Sequence, residues 1–524
     1  MTSETGQPGD QGDFDVSPAN GRRSFVKRIL AMSAGLAAAP ALAHAEPDQT
    51  GAASPAPPTT LWATPGADVG TIAPSSGLGR YFRVFYPASQ TPGELQIAVN
   101  YTMWLPDDVH TVRGVIVHQH GAGMEAAHYG SYSAYDLHWQ ALAKKWDCGL
   151  MGPSYRVIND AVDLTPGGAE LWFDPRHGSD KTFLKALGEI ADQSGHPEIA
   201  SVPWCLWGHS GGGIWANLMS ILYPSRVAAM FLRSGSAASF RGRAEYAEPK
   251  VPDAVYAIPA LSNAGVLEKR NGSWGRFTTT FEEYRAHGAP FGWAPDPRTA
   301  HFCGDSRYLA ISFFDACLGM RLPEKDASAH ELRTVDHSQA WLAPYPGDAA
   351  VPAKEFKGDE KKSIWLPNEK VARAWMEYVR TGTVSDASLP PAPFGVRVND
   401  KGEQGTEISW EAEADIASGL GGFVVIRDGI GIARLPEQPP EEIFGRPLFQ
   451  GLSFHDTPTA PLPKMSYLDA ATKGGTNHVY TVTALSSAGV PSNPGASAAA
   501  MRSLTGHSMK PLRRNAILSS GLTA

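Results

Sequence analysis

Between an apolar run, Val202-Pro203-Trp204-Cys205-Leu206-Trp207, and a helical stretch from Gly213 to Leu222 lies the sequence Gly208-His209-Ser210-Gly211-Gly212. A short unbroken apolar run is what a strand covered on both faces looks like. Strand, turn and helix in that order make a steric demand on the serine. At the tip of so tight a bend it is held in a strained backbone conformation, and Gly208 and Gly212 leave room for the chain to cross closely. The hydroxyl then stands exposed, and the helix start supplies partial positive charge for an oxyanion. Ser210 is therefore the candidate nucleophile.

The surrounding pattern repeats strand and helix. Tyr81 to Tyr86 and Leu95 to Val99 read as edge strands, and Gly114 to His118 and Cys148 to Met151 as buried ones. Helices are expected from Leu137 to Trp146, Thr182 to Ala191 and Arg307 to Leu318, with further strands at Val227 to Leu232 and Ala257 to Leu261. Apolar strands alternating with amphipathic helices imply a doubly wound, mostly parallel sheet with helices on both faces, the α/β class. Near Pro390-Pro391-Ala392-Pro393 the style changes to short alternating strands without helices, as at Glu407-Ile408-Ser409-Trp410 and Val479 to Ala484. That is the pattern of a small all-β sandwich. The expected divisions are a leader at 1–45, a Pro/Ala/Thr-rich linker at 46–79, an α/β domain at 80–388, a sandwich at 389–503 and a tail at 504–524. Within the α/β domain, 322–367 is either a cap or a packing segment.

A nucleophilic serine needs partners. The strand ending at His118 runs into Gln119-His120-Gly121-Ala122-Gly123, a turn suited to offer the Ala122 N–H beside that of Gly211 as an oxyanion hole. His118 and His120 alternate on one strand and could face a metal together, but no third ligand has sensible spacing. Glu268 follows the strand-end glycine, Gly265, by three positions and is the candidate acid, with Asp296 as its substitute. His301, in the loop before the Arg307–Leu318 helix, is the candidate base; His337 and His287 compete with it. The order Ser210, Glu268, His301 is nucleophile, acid, base.

These residues resemble the α/β-hydrolase superfamily over about Arg80 to Arg380. The resemblance implies an eight-stranded sheet and hydrolysis of carboxylic esters through an acyl-enzyme, with no cofactor and no metal. A peptidase or amidase would use the same triad on another pocket. A hydrolase-shaped protein that binds a polymer or polysaccharide without catalysis is the reading from another class. The C-terminal region, with Trp410 and Tyr480 to Ser492, resembles a fibronectin type III domain, although the middle from Arg434 to Lys473 is overlong for one.

Arg22-Arg23-Ser24-Phe25-Val26-Lys27, a weakly apolar run from Ile29 to Ala43 and the exit Ala43-His44-Ala45 resemble a bacterial twin-arginine export signal. The mature chain is then expected to begin near Glu46 and to work in the periplasm or outside the cell. The apolar run is shorter than the roughly 20 residues a spanning helix needs. With 42% hydrophobic and 19% charged residues the composition is that of a globular protein, and basic residues are too scattered for a nucleic-acid face. Four cysteines in 524 residues make no disulfide framework, though Cys303 and Cys317 could bridge if the fold brought them together.

Overall fold

The computed structural model describes residues 78–123, 129–156, 171–241, 247–271, 274–325, 331–438, 445–459, 464–472 and 477–499. The expected leader and tail lie outside the described residues, as does nearly all of the linker. Eight strands form the main sheet: β1 (Gly79–Tyr86), β2 (Val99–Pro106), β3 (Gly114–Gln119), β4 (Cys148–Tyr155), β5 (Trp204–His209), β6 (Val227–Arg233), β7 (Ala260–Gly265) and β8 (Phe291–Asp296). Their spatial order is β1-β2-β4-β3-β5-β6-β7-β8. From β4 to β8 every neighbouring pair is parallel, and β2 runs against both β1 and β4. This mixed order fits the α/β-hydrolase architecture. The second strand begins at Val99 rather than at Leu95, because Leu95 is tied back into a turn by a Ser89 N–H bond to its carbonyl.

Every residue of β3, β5, β6 and β7 is buried, as strands with both faces covered must be. The cover is two groups of three helices. In one, α1 (Leu137–Lys145) meets α5 (Ser306–Arg321) through Trp139 and Phe314, and α5 meets α6 (Glu369–Thr381) through Asp315 and Lys370. In the other, Phe183 of α2 (Ser179–Ser194) packs on Trp215 of α3 (Gly211–Leu222), whose Asn217 donates to Tyr284 of α4 (Trp274–Ala286) at 2.9 Å. All of α3 up to Ile221 is buried, which is why its sequence is apolar on all sides rather than along one stripe.

The 322–367 segment contributes a small sheet of β9 (Trp341–Pro344), β10 (Val351–Pro352) and β11 (Ser363–Leu366). Leu342, Ile364, Trp365 and Leu366 join the main apolar core, and the Trp365 carbonyl closes on Gly292 of β8. Cys303 and Cys317 are both free and buried. Cys303 precedes α5 and Cys317 lies in its fourth turn, about 16 Å along the axis from the helix start at 1.5 Å per residue. A disulfide needs Cα atoms within about 7 Å, so the helix itself keeps them apart.

Beyond residue 390 lie two antiparallel sheets. One holds β12 (Phe394–Asp400), β13 (Thr406–Glu411) and β16 (Ser466–Asp469); the other holds β14 (Gly422–Arg427), β15 (Ile430–Leu435), β17 (Val479–Leu485) and β18 (Ala498–Ala499). Ile408 and Trp410 from the first share one apolar cluster with Phe423, Val425, Tyr480 and Val482 from the second. The long connection from β15 to β16 leaves these sheets, and its residues 445–459 settle into the α/β part of the molecule.

Candidate active site

Ser210, Glu268, His301 and Ala122 come just beyond the carboxyl ends of β5, β7, β8 and β3, the edge where open α/β sheets bind ligands. Ser210 occupies the residue before α3 with φ 55° and ψ −118°. A side chain rarely adopts that left-handed backbone, which costs on the order of 1–3 kcal/mol. Two glycines make the bend possible. A Cβ on Gly208 would collide with the Gly212 carbonyl, and one on Gly212 with the carbonyls of Gln119 and His120. The Ser210 N–H is held by the Arg233 carbonyl at 2.8 Å, fixing the bend to β6.

The serine Oγ lies 2.9 Å from His301 Nε2, and His301 Nδ1 lies 2.9 Å from Glu268 Oε2. In this order Ser210 O–H donates to the ring and the ring N–H donates to the carboxylate. Glu268 is fully buried. Its other oxygen accepts from Ser234 Oγ at 2.5 Å and Gly265 N–H at 3.2 Å, with Arg233 Nη1 at 3.7 Å. Burial pushes the Glu268 carboxyl upward, but His301, Arg233 and Ser234 together hold it below the usual range. It is therefore a carboxylate at neutral pH, able to stabilise an imidazolium.

The Ala122 amide lies beside the start of α3: a Cβ on Gly211 would come within 3.3 Å of that nitrogen. Gly211 N–H is one of the first amides of α3, which have no partner inside the helix. The same hypothetical Cβ would meet the Phe173 ring at 3.3 Å, so an aromatic wall adjoins the space in front of these amides.

The remaining sequence candidates are placed elsewhere. Asp296 accepts from Tyr378 O–H at 2.8 Å and the Arg298 N–H at 2.9 Å. His337 is exposed near Trp365, and His287 stacks on Tyr256 at 4.1 Å. His118 stacks on Trp207 at 3.9 Å between Ser133 Oγ and Asp456. His120 is bonded to the Gly121 carbonyl and receives the Tyr155 N–H, and burial lowers its pKa to about 4.

Several contributors were not found by sequence reasoning. Arg233, fully buried, reaches Thr299 Oγ1 at 2.9 Å and the Ala300 and Phe302 carbonyls at 3.1 and 2.5 Å. It thus grips the His301 loop while facing Glu268. Its only signal was a charge ending an apolar strand. Phe454, His455 and Asp456 come from the C-terminal connection. Asp456 Oδ1 accepts from Arg307 Nε at 2.7 Å, and Arg307 also pairs with Asp136 at 2.8 Å, all three buried. Burial works against the Arg307 charge, yet Asp136 and Asp456 raise its pKa above the ordinary value. The Phe454 ring packs against His209 and His301 at 5.6 and 6.1 Å. A Cβ on Gly121 would strike the His455 ring at 2.6 Å and lie 3.2 Å from Ser210 Cβ, so His455 adjoins Ser210. The overlong stretch from Arg434 to Lys473 was the one hint.

No family model matches the chain, and no curated protein matches it. Among solved structures, it is similar to an S-formylglutathione hydrolase from Agrobacterium tumefaciens at 18% identity, covering 47% of this chain and 95% of that one with a TM-score of 0.31. A ferulic acid esterase is similar at 13% identity, covering 43% and 92% with a TM-score of 0.29. An α/β hydrolase enzyme from a Medee basin deep-sea metagenome library is similar at 14%, covering 45% and 86% with a TM-score of 0.29. At these identities and scores the likeness adds nothing to what the strand order itself establishes.

Proposed function

We propose that the chain is an exported serine hydrolase that cleaves carboxylic esters through an acyl-enzyme on Ser210. The observation that carries this reading is the unbroken run from Ser210 Oγ to His301 to Glu268, at 2.9 Å in each step. His301 takes the serine proton as Oγ attacks the ester carbonyl. Glu268 steadies the resulting imidazolium, and the Gly211 and Ala122 amides receive the oxyanion. The imidazolium then hands its proton to the departing alcohol. Water, activated by the same ring, releases the acid and restores Ser210.

The test is turnover of p-nitrophenyl acetate, compared with aminoacyl-anilides, by parent and Ser210→Ala, together with fluorophosphonate labelling. Label on Ser210 and ester turnover lost in the variant support the reading; retained turnover defeats it. Faster cleavage of the anilides would move the reading to a peptidase or amidase. No labelling and no turnover would favour a non-catalytic polymer binder.

The two C-terminal sheets, with Trp410 packed edge-on to Phe423 at 5.2 Å between them, support a fibronectin type III-like sandwich as their class. The Arg22-Arg23 segment and the alanine-rich run after it support export by the twin-arginine route. Cell fractionation of the parent and of Arg22→Lys with Arg23→Lys tests this: protein retained inside the cell only in the variant is the expected result.

A further inference from the structure

His209, the residue before the nucleophile, joins the C-terminal connection to the main chain of the base. Its Nε2 lies 2.6 Å from the His301 carbonyl and its Nδ1 lies 2.7 Å from Nδ1 of His455. Both rings are buried. Burial first, and the neighbouring imidazoles after it, hold both well below the usual histidine pKa, so each is neutral and carries one ring hydrogen.

The geometry then fixes where the hydrogens are. A carbonyl can only accept, so His209 Nε2 bears the hydrogen and His209 Nδ1 is bare. That bare nitrogen can be bonded at 2.7 Å only if His455 Nδ1 bears a hydrogen. The bonds run in one direction, from His455 to His209 to the His301 carbonyl. Without the His455 donor, His209 Nδ1 becomes a buried lone pair with no partner, and the ring loses one of the two bonds that hold it against the His301 carbonyl. The His301 main chain would then shift, and with it the ring that faces Ser210.

We infer that His455 is a positioning residue for hydrolysis at Ser210: by bonding the bare His209 nitrogen it steadies that ring, and through it holds the base at its post, so the C-terminal region completes the active site. This rests on the proposed ester hydrolysis. Its neighbour Asp456 anchors the same turn on Arg307, and Phe454 closes the other side of His209. The region is therefore seated by contacts independent of the His455 bond.

The experiment uses the full-length protein with p-nitrophenyl acetate. His455→Phe keeps the ring's bulk without a donor, whereas His455→Asn places an amide N–H where Nδ1–H was. His209→Gln supplies a fixed donor to the His301 carbonyl whatever residue 455 does. Fluorophosphonate titration gives the active fraction, so kcat is per competent site. The expected result is a loss in kcat of about 10- to 100-fold for His455→Phe, with KM changed by less than about twofold. His455→Asn should recover most of that loss, and adding His455→Phe to His209→Gln should cost little more. Parental kcat in His455→Phe, equal losses in the Phe and Asn variants, or additive losses in the double variant would each overturn the inference. If the parent is active through Ser210, those outcomes leave the hydrolase reading intact. A parent without Ser210-dependent turnover brings both down.

Discussion

Glu268→Gln separates what the buried carboxylate does for catalysis from what it does for folding. The substitution keeps the shape but removes the charge that faces His301 at 2.9 Å and Arg233 at 3.7 Å. At an effective dielectric near 20, unit charges 3.7 Å apart interact by about 4 kcal/mol. Removing one partner leaves the fully buried Arg233 with only neutral acceptors, and breaking such a pair costs about 3–5 kcal/mol. The second effect falls on the rate, because the imidazolium formed during attack loses its counter-charge. Triads that lose the charge of the acid slow by about 10,000-fold. Because the folded pKa of Glu268 is depressed, its stabilisation is full above the unfolded carboxyl value and is lost as pH falls through the folded one. Denaturant midpoints at pH 7 and pH 4 should therefore differ less in the variant than in the parent. The assay pairs those midpoints with kcat for an activated ester. A folded variant with kcat within tenfold of the parent, or with unchanged stability, would refute the account of Glu268 as an ionised acid held by Arg233.

Ser210→Gly and Ser210→Ala should both abolish turnover. The glycine variant should be the more stable by about 1 kcal/mol, since only glycine relaxes at φ 55°; equal melting temperatures would contradict the strain. Gly212→Ala should give little folded protein on expression, because its methyl meets two carbonyls of the neighbouring turn; parental yield and melting temperature would refute this. Arg307→Met should destabilise by about 3–5 kcal/mol and expose residues 445–459 to limited proteolysis, because Asp136 and Asp456 lose their shared partner; an unchanged cleavage pattern would count against the anchor. His120, His138, His209 and His455 are all buried, with pKa values depressed mainly by burial. A depressed folded value means the unfolded chain takes up protons first, so stability should fall as pH drops from 7 to 5, before most carboxylates titrate. A melting temperature flat over that interval by calorimetry would refute it.

How legible the molecule was from its residues depended on how local each cause was. The elbow at Ser210 and the apolar runs of β3, β5 and β6 were readable because sterics and burial act over a few neighbours. Glu268 could be placed by its distance past a strand end, and His301 by order and by its loop before a helix, since the sheet turns sequence order into a row of adjacent loops. The strand at β8 was missed: Phe291-Gly292-Trp293-Ala294-Pro295 carries a glycine and a proline that mask its period. Arg233 was not legible, because a charge in a core is stabilised only by partners from other loops. His455 lies 245 positions after Ser210 in the numbering, and no local pattern specifies a contact made across that separation.

The turn at residues 445–459 bears on the order in which this molecule can be made. A ribosome that has released the chain as far as Leu435 has already supplied all eight strands and all six helices of the α/β part. At that moment Arg307 has one counter-ion instead of two, and the hollow that will hold Phe454 lies open beside His209 and His301. The half-made molecule is thus a vessel with its stopper still unsynthesised, and its final setting must await the synthesis of residues 445–459.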